Sequence, residues 1–228
     1  MRILVTAAEQ QELDRAIKAY AEVVPQSENE VETIFRLTGI GAANACYCVT
    51  REIWNGRLEN RPYDLVINIG IAGSYDLEEF PIASAAIISR EYFGDLGFET
   101  GKGFADLFRC GIMDKDEFPY TDGALARQLL PYSHIEEALS EYREGVGVTI
   151  QCITGNAART DELKRLYSPH IESMEGAAVY YAALMEKVPV FELRTVSNAV
   201  GERDSKKWKT KEALDTLENC CRKIFGIL

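Results

Sequence analysis

The chain has 228 residues and a formal net charge of −11, from 36 acidic and 25 basic residues. Its length suits one sizeable α/β domain, and its 46% hydrophobic content suits a packed core. The acidic balance argues against a nucleic-acid surface, which normally requires a basic patch. We therefore predict a single domain over residues 1–228 with no nucleic-acid partner.

The cysteines and histidines show no metal-binding pattern. There are six cysteines and two histidines, and no CxxC pair occurs. A metal site needs a clustered ligand set, so we predict neither a metal nor another cofactor. Reduced cysteines fit a cytoplasmic protein. The first residues do not resemble a signal peptide, and no apolar run approaches the roughly 18 residues of a membrane span, so no membrane contact is expected.

Strands and helices alternate along the chain. In order, we predict a strand at 3–7, a helix at 9–20, a strand at 31–37, a helix from 42 that closes at Asn55-Gly56, and a buried strand at 64–69. There follow a strand at 82–92, a long glycine- and aromatic-rich excursion at 93–120, a mainly helical segment at 121–144, a strand at 147–153 and helices at 157–167 and 205–228. This alternation predicts an α/β fold, a three-layer sandwich around a central mixed, mostly parallel sheet.

Polar residues cluster at two joins between residues 170 and 204. Glu175 stands where a helix begins, and a carboxylate is favoured there by the helix dipole. A strand begins at Val190, and Arg194 and Asn198 come after it, at its carboxyl end. Groups at the carboxyl ends of strands point into the ligand crevice of an α/β sheet, so these side chains are expected to converge. A capped helix and an ordinary surface loop are the alternative interpretation of the same spacing.

Two earlier stretches occupy similar positions. Glu12 lies just past the carboxyl end of the first strand, which is a ligand-crevice position. A glutamate at such a place is nonetheless more often an ordinary surface residue. Gly70-Ile71-Ala72-Gly73 follows a buried strand, and its backbone N–H groups are suited to cradling a ligand. It lacks both the dinucleotide-binding spacing and the lysine of a P-loop, so alone it is weak evidence.

Three motifs carry a family resemblance. INIGIAG at 67–73, SMEGAA at 173–178 and RTVSN at 194–198 resemble, in order and spacing, the landmarks of the nucleoside phosphorylase/nucleosidase superfamily. The acidic first helix resembles the methylthioadenosine/adenosylhomocysteine nucleosidase branch. SMEG and the tail at 197–204 are most similar to the futalosine hydrolase family. The resemblance implies cleavage of the N-glycosidic bond between a ribose and a purine, through an oxocarbenium-like transition state.

The resemblance also implies roles for individual residues. Glu175 would accept hydrogen bonds from the ribose hydroxyls, with Met174 packed on the sugar. Glu12 resembles the general base that activates water, and Arg194 the arginine that holds the water and the carboxylate. The expected pocket lining is Ala72, Gly73, Ser197 and Ile153, with no stacking residue assigned.

Asn198 departs from the adenine-releasing nucleosidases, which carry Asp at this position. An amide suits a 6-oxopurine, whose edge offers the O6 and N7 acceptors. We therefore expect hypoxanthine as the leaving group, and hydrolysis of futalosine to hypoxanthine and dehypoxanthine futalosine in menaquinone biosynthesis. Ile71 is a second departure, because the adenine-cleaving branch has a small polar residue there, which leaves the details of the water site open.

Phosphorolytic relatives use an arginine in an N-terminal loop, which this chain lacks, and neither Arg36 nor Arg90 fits that motif. Hydrolysis is therefore preferred. A methylthioadenosine/adenosylhomocysteine nucleosidase or a purine nucleoside phosphorylase is the alternative enzyme. A non-catalytic nucleoside-binding protein is the alternative from another class, and the combination of Glu12, Glu175 and Arg194 argues against it.

Futalosine carries a carboxyphenyl group beyond the ribose 5′ position, which a basic residue beside a flat apolar wall would bind. Arg203 is the candidate, with Lys102 behind it, although Arg203 pairing with Asp204 or Glu202 is an equally good interpretation. The aromatic stretch at 92–108 is the candidate wall, across a subunit contact, and a homodimer or higher homo-oligomer is expected.

Overall fold

A computed structural model describes residues 1–23, 31–101 and 103–228, so Lys102 lies outside the described residues. Apolar strand segments alternate with helices, as the sequence predicts. The elements are β1 (Arg2–Ala7), α1 (Gln10–Val23), β2 (Glu32–Leu37), α2 (Ala42–Leu58), β3 (Leu65–Ser74), β4 (Ala85–Phe93), β5 (Gly97–Thr100), β6 (Gly103–Asp106), β7 (Tyr120–Thr121), β8 (Ala124–Ala126), α3 (Ser133–Leu139), β9 (Arg143–Thr149), α4 (Ala157–Tyr167), β10 (Ile171–Ser173), α5 (Gly176–Met185), β11 (Val190–Ala199) and α6 (Thr210–Phe225).

The main sheet is mixed and partly closed. Strands β2, β1 and β3 pair in parallel, and β3 then pairs with both β11 and β10. Strand β11 pairs with β4, β4 with β9, and β9 with β10. Five strands therefore form a closed ring of pairings, β3–β11–β4–β9–β10, and β8 and β7 extend from β4.

Helices cover the sheet in two layers. Helices α1 and α6 pack with β1 and β3 in one core, through residues such as Leu13 and Leu217. Helices α2 and α5 form the other core, where Val49 lies with Ala178. Helix α5 is apolar nearly all round because it is buried between the sheet and α2. This arrangement confirms the predicted α/β sandwich with a mixed, mostly parallel sheet.

Several predicted element ends are wrong. The strand predicted at 82–92 lies at Ala85–Phe93, the strand predicted at 147–153 lies at Arg143–Thr149, and the final helix begins at Thr210 rather than at 205. Helix α2 does not close at Asn55-Gly56 but continues to Leu58. The chain turns at Asn60, which has a positive φ, and the Arg61 N–H donates back to the Gly56 carbonyl. Strand β3 does not end before Gly70, because β11 and β10 pair with it as far as Ser74.

The prediction of a mainly helical segment at 121–144 is also wrong. Only Ser133–Leu139 is helical, and the segment begins with the β7–β8 hairpin and ends in β9. Pairing of β8 with β4 at the sheet edge buries Ala124 and Leu125, which outweighs local helix preference. The excursion at 93–120 contains the β5–β6 hairpin. Among the described residues, no helix is both long and apolar enough to cross a membrane.

Candidate active site

A cavity of about 240 Å³ opens at the carboxyl ends of β1, β3 and β11, beside β10. Its walls combine apolar side chains with carboxylates and one amide. The lining residues are Ala8, Glu9, Glu12, Ile40, Ile71, Ala72, Gly73, Ile150, Ile153, Glu172, Ser173, Met174, Glu175, Ser197, Asn198, Trp208 and Thr210. Eight of the ten residues predicted for the site are among them, and Arg194 and Arg203 are not.

Glu12 is buried in the first turn of α1 and faces the cavity. Its Oε1 accepts the Ile71 N–H at 2.8 Å, and its Oε2 accepts the Glu9 N–H at 3.0 Å. Burial raises the pKa of the Glu12 carboxyl, and the positive charge of Arg194 and the two N–H groups offset part of that rise. A carboxylate fixed in this way, with a raised pKa, is suited to accepting a proton.

Arg194 lies behind the cavity wall rather than in it. Its side chain is 1% exposed, and its Nε donates to Glu192 Oε1 at 2.5 Å. Burial lowers the pKa of the guanidinium, but the carboxylates of Glu192, Glu175 and Glu12 outweigh burial and raise it. Arg194 therefore remains charged and holds the two cavity glutamates electrostatically from behind.

Gly70 makes this arrangement possible. A Cβ at this position would lie 2.9 Å from Glu12 Oε1 and would collide with the Arg194 guanidinium. The glycine is required here for close approach and not for an unusual backbone angle. It allows a base and its neutralising cation to share one end of β3.

Glu192 and Glu91 form a second buried carboxyl pair deeper in the protein, which the sequence did not indicate. Both are fully buried, and oxygens of both lie within 2.7 Å of the position that a Cβ on Gly176 would occupy. Burial, and then the neighbouring Glu192, raise the pKa of Glu91 well above its ordinary value. Burial also raises the pKa of Glu192, but Arg194 offsets part of that rise, so Glu192 rather than Glu91 is favoured to carry the charge that pairs with Arg194.

Glu175 stands at the N-terminal end of α5, which begins at Gly176. Its Oε1 accepts the Gly41 N–H at 2.8 Å, and Gly41 has a φ of +97°, a conformation that favours glycine. The β2–α2 loop thereby holds one carboxylate oxygen and leaves Oε2 for a ligand. Met174, next in the chain, lines the same part of the cavity.

Asn198 is directed into the cavity by a β-bulge. The β11–β3 register pairs Val196 with Ala72 and Asn198 with Gly73, so Ser197 is the extra residue. Bulges next to active sites redirect side chains. The Ser197 hydroxyl lies 2.7 Å from Asn198 Oδ1 and 3.1 Å from the Ala72 carbonyl, and its single hydrogen bonds one of these acceptors, while Asn198 Nδ2 donates to the Ala199 carbonyl. The second Nδ2 hydrogen is left for a ligand acceptor.

Arg203 is exposed and is not among the residues that line the cavity, and its Cδ lies close to Gly155. Among the described residues it forms no ion pair, and Glu202 instead pairs with Lys207 at 2.9 Å. Its alternative role as a partner of Glu202 or Asp204 is therefore not seen. The described residues of the stretch at 92–108 do not line the cavity within this chain.

Sequence reasoning missed several cavity residues. Trp208 and Glu172 are the most notable, together with Glu9, Ile40, Ile150 and Thr210. No motif marks them, because they come from strands, helices and loops that are distant in sequence and meet only in the fold. The negative charge of the cavity lining could also not be predicted from the sequence. Within the described chain, the lining contains four glutamates and neither Lys nor Arg.

Comparison with known proteins identifies related chains. The family model described as the phosphorylase superfamily matches residues 6–228. A futalosine hydrolase from Streptomyces coelicolor is 32% identical, over 100% of this chain and 97% of that protein. A futalosine hydrolase from Thermus thermophilus is 27% identical, over 85% of this chain and 81% of that protein.

Solved structures share the fold at lower identity. The native structure of futalosine hydrolase from Helicobacter pylori superposes with a TM-score of 0.80 at 17% identity, over 100% of this chain and 98% of that one. An S-adenosylhomocysteine nucleosidase from Streptococcus pyogenes superposes with a TM-score of 0.79 at 17% identity, over 100% of this chain and 97% of that one. At these identities the likeness concerns the fold alone.

Proposed function

Because the chain belongs to the phosphorylase superfamily, and within it to the futalosine hydrolase family, we propose that its cavity hydrolyses the N-glycosidic bond of futalosine, releasing hypoxanthine and dehypoxanthine futalosine. The observation that carries this proposal is the position of Glu12, Glu175 and Asn198 around one cavity. Each group matches one requirement of the reaction: a base for water, an acceptor for the ribose hydroxyls and a donor for the departing purine.

The reaction begins with the sugar held by Glu175. Its Oε2 accepts hydrogen bonds from the ribose 2′- and 3′-hydroxyls, and Met174 packs on the sugar. Glu12 takes a proton from a water molecule, whose oxygen bonds to C1′ as the bond from C1′ to the base nitrogen breaks. The positive charge of Arg194 behind the cavity wall lowers the pKa of the Glu12 carboxyl and so offsets part of the effect of its burial.

The electron pair of the broken bond passes to the purine. Asn198 stabilises the developing charge through the Nδ2 hydrogen that the protein leaves unbonded, directed at N7. The Ala199 carbonyl supports this role because a carbonyl only accepts, and it therefore requires Nδ2 of Asn198, and not Oδ1, on its side. Ala72, Gly73 and Ile153 complete the walls around base and sugar.

The charge of the cavity favours water over phosphate as the nucleophile. Phosphorolysis requires cations that bind phosphate, but the described lining contains four glutamates and neither Lys nor Arg. The arginines considered from sequence are engaged elsewhere: Arg36 pairs with Glu52 at 2.9 Å, and Arg90 donates to the Thr121 carbonyl. A phosphate dianion would therefore be repelled from the position beside Glu12.

We also propose that the enzyme is a cytoplasmic homo-oligomer. All six cysteines are free thiols, which suits a reducing compartment. Tyr47, Trp54 and Leu58 lie on one face of α2 and are at least half exposed, which suits a subunit contact. A monomeric mass by light scattering would contradict the oligomer.

Arg203 remains the proposed partner for the substrate carboxylate, and Trp208 at the cavity is an alternative wall for the phenyl ring.

Product analysis tests the function. The protein is incubated with futalosine, inosine and methylthioadenosine, with and without phosphate, and the bases and sugars released are identified. We expect hypoxanthine and a phosphate-free sugar from futalosine at a rate that phosphate does not change. A sugar 1-phosphate would indicate a phosphorylase, and preferential release of adenine would indicate a methylthioadenosine-type nucleosidase.

Glu12→Gln tests the mechanism. Loss of the base should lower kcat by roughly 10²- to 10⁴-fold while substrate binding is kept. Glu52→Gln is the matched control, because Glu52 is also a buried glutamate near an arginine but lies outside the cavity. Full turnover in Glu12→Gln would exclude Glu12 as the base, and tight binding without turnover in the unmodified protein would indicate a binding protein instead.

A further inference from the structure

Glu172 is a buried cavity carboxylate to which the mechanism above assigns no role. It lies on β10, three residues before Glu175, and lines the cavity. Its side chain is held by three donors. The Tyr75 and Thr154 hydroxyls each donate to Oε2 at 2.6 Å, and the Thr154 N–H donates to Oε1 at 3.2 Å.

These contacts leave Glu172 with acceptor capacity toward the cavity. A carboxylate offers about four lone-pair positions and no donor, and three are used here. Glu172 is only 6% exposed. Leaving one acceptor position of a buried carboxylate without a hydrogen-bond donor costs free energy. A ligand N–H is the group that would satisfy it.

The sheet register places Glu172 opposite Asn198. Glu172 pairs with Gly73 across the β10–β3 contact, and Asn198 pairs with the same Gly73 across the β11–β3 contact. Directly paired residues point to the same face of a sheet. Neighbouring strands lie about 4.8 Å apart, so the two outer backbones are roughly 10 Å apart.

Gly73 contributes no side chain between the two partners. A Cβ at this position would lie 3.4 Å from Asn198 Nδ2 and 3.0 Å from Val200 Cγ2, so the Val200 side chain borders this point as well. Glu172, Gly73 and Asn198 all line the cavity, which therefore has an amide donor on one side of Gly73 and a carboxylate acceptor on the other. A planar base bound between them can be hydrogen-bonded at both edges.

We propose that Glu172 determines base specificity by accepting the N1–H of a 6-oxopurine whose N7 faces Asn198. A 6-oxopurine carries a hydrogen on N1, whereas N1 of a 6-aminopurine is an acceptor that a carboxylate repels. A polar group built to bond one edge rejects the base that lacks the matching hydrogen. This inference rests on the proposed function, because it takes the cavity to be the purine site.

Three substrates test the inference on the unmodified enzyme: futalosine, its 6-amino analogue and its N1-methyl analogue. Loss of one hydrogen bond to a charged group should lower kcat/KM for both analogues by roughly ten- to a hundredfold. Efficient cleavage of the N1-methyl analogue would overturn the proposal without any variant, since no N1–H is then available to Glu172.

Glu172→Gln provides the complementary test. The Tyr75 and Thr154 hydroxyls would hold the amide oxygen of the variant at the Oε2 position. Its NH₂ group would take the Oε1 position, where it gives up the hydrogen bond from the Thr154 N–H and donates to an acceptor at N1. The preference for futalosine over the 6-amino analogue should therefore fall by roughly ten- to a hundredfold. Glu52→Gln, a buried glutamate outside the cavity, should leave this ratio unchanged.

The outcomes separate the two proposals. If the unmodified enzyme releases no base from futalosine, the proposed function fails. If it releases hypoxanthine but Glu172→Gln leaves the ratio of the two substrates unchanged, the role of Glu172 fails and the function stands. Should the variant not fold, the N1-methyl analogue on the unmodified enzyme still decides.

Discussion

At the residue scale, Glu12 accepts two backbone N–H groups and lies near Arg194, yet burial still raises its pKa from the ordinary 4.5. The protonated form is therefore favoured by folding. The stability that this group contributes is present at low pH and is lost as pH rises through the folded pKa. Ionising this base therefore lowers the stability of the folded protein, and such perturbed pKa values are common for catalytic groups.

The raised pKa predicts an acid limit to activity. Because only ionised Glu12 accepts a proton from water, kcat/KM should fall as pH drops through a pKa above 4.5. Initial rates measured across pH would show this limb, with circular dichroism confirming that the protein stays folded. A profile that stays flat down to the ordinary glutamate pKa would contradict the role of Glu12.

Asn198→Asp is predicted to shift the substrate preference of the enzyme from 6-oxopurine nucleosides toward adenine nucleosides. A carboxylic acid suits proton donation to N7 of adenine, whereas the amide suits a 6-oxopurine without changing charge. We expect kcat/KM on inosine-type substrates to fall about tenfold or more, and that on adenosine-type substrates to rise. Asn219→Asp, at an exposed position on α6, is the control. If neither rate changes, Asn198 does not face the base.

At the element scale, the contact between α1 and α6 depends on a charged cluster as well as on apolar packing. Glu218 on α6 accepts hydrogen bonds from Lys18 and Arg15 on α1, each at 2.7 Å, and from Arg222 on its own helix. These bonds, with that from Lys18 the strongest, lower the pKa of Glu218 to about 2. The cluster therefore holds in place the helix that carries Glu12.

Glu218→Gln is predicted to destabilise the protein in a pH-dependent way. A depressed pKa means that the stabilisation is present above the unfolded value of about 4.5 and is lost as pH falls toward about 2. The variant should lose on the order of 1 kcal/mol at pH 7, as expected for a partly exposed network. Denaturant unfolding at several pH values checks this, and a difference that persists at the lowest pH would contradict it.

At the scale of the whole molecule, the closed ring of strands forms the cavity. The short strand β10 completes the ring between β3 and β9 and leads directly into Met174 and Glu175. Ile171 on β10 is fully buried with Phe80, Ile88 and Val196. Packing within the ring and the geometry of the site are thus coupled.

Ile171→Ala is predicted to damage both stability and substrate binding. The cavity it creates should cost about 2 to 5 kcal/mol. Because β10 positions Glu172 and Glu175, KM should also rise. Ile224→Ala removes a buried isoleucine of the same size from the α6 core and should lower stability without raising KM. Equal KM values in the two variants would show that the ring does not position the site.

The sequence by itself determined the fold class, the family and the family motifs. Apolar runs and helical spacing predict the α/β sandwich, and the structure and comparisons confirm the fold and the family. The roles of Glu12, Glu175, Arg194 and Asn198 stay predictions. The sequence could predict this much because burial periodicity and the landmark motifs are local properties that a single segment carries.

Only the tertiary structure decided how those segments meet. Segment 121–144 follows strand pairing rather than helix preference, and β3 extends past its glycines because two strands pair with it. Arg194 lies behind the cavity, and Glu172 and Asn198 both pair with Gly73. These relations depend on the register between strands that are distant in sequence. Strand pairing and burial are long-range, so no local pattern in the chain contains them.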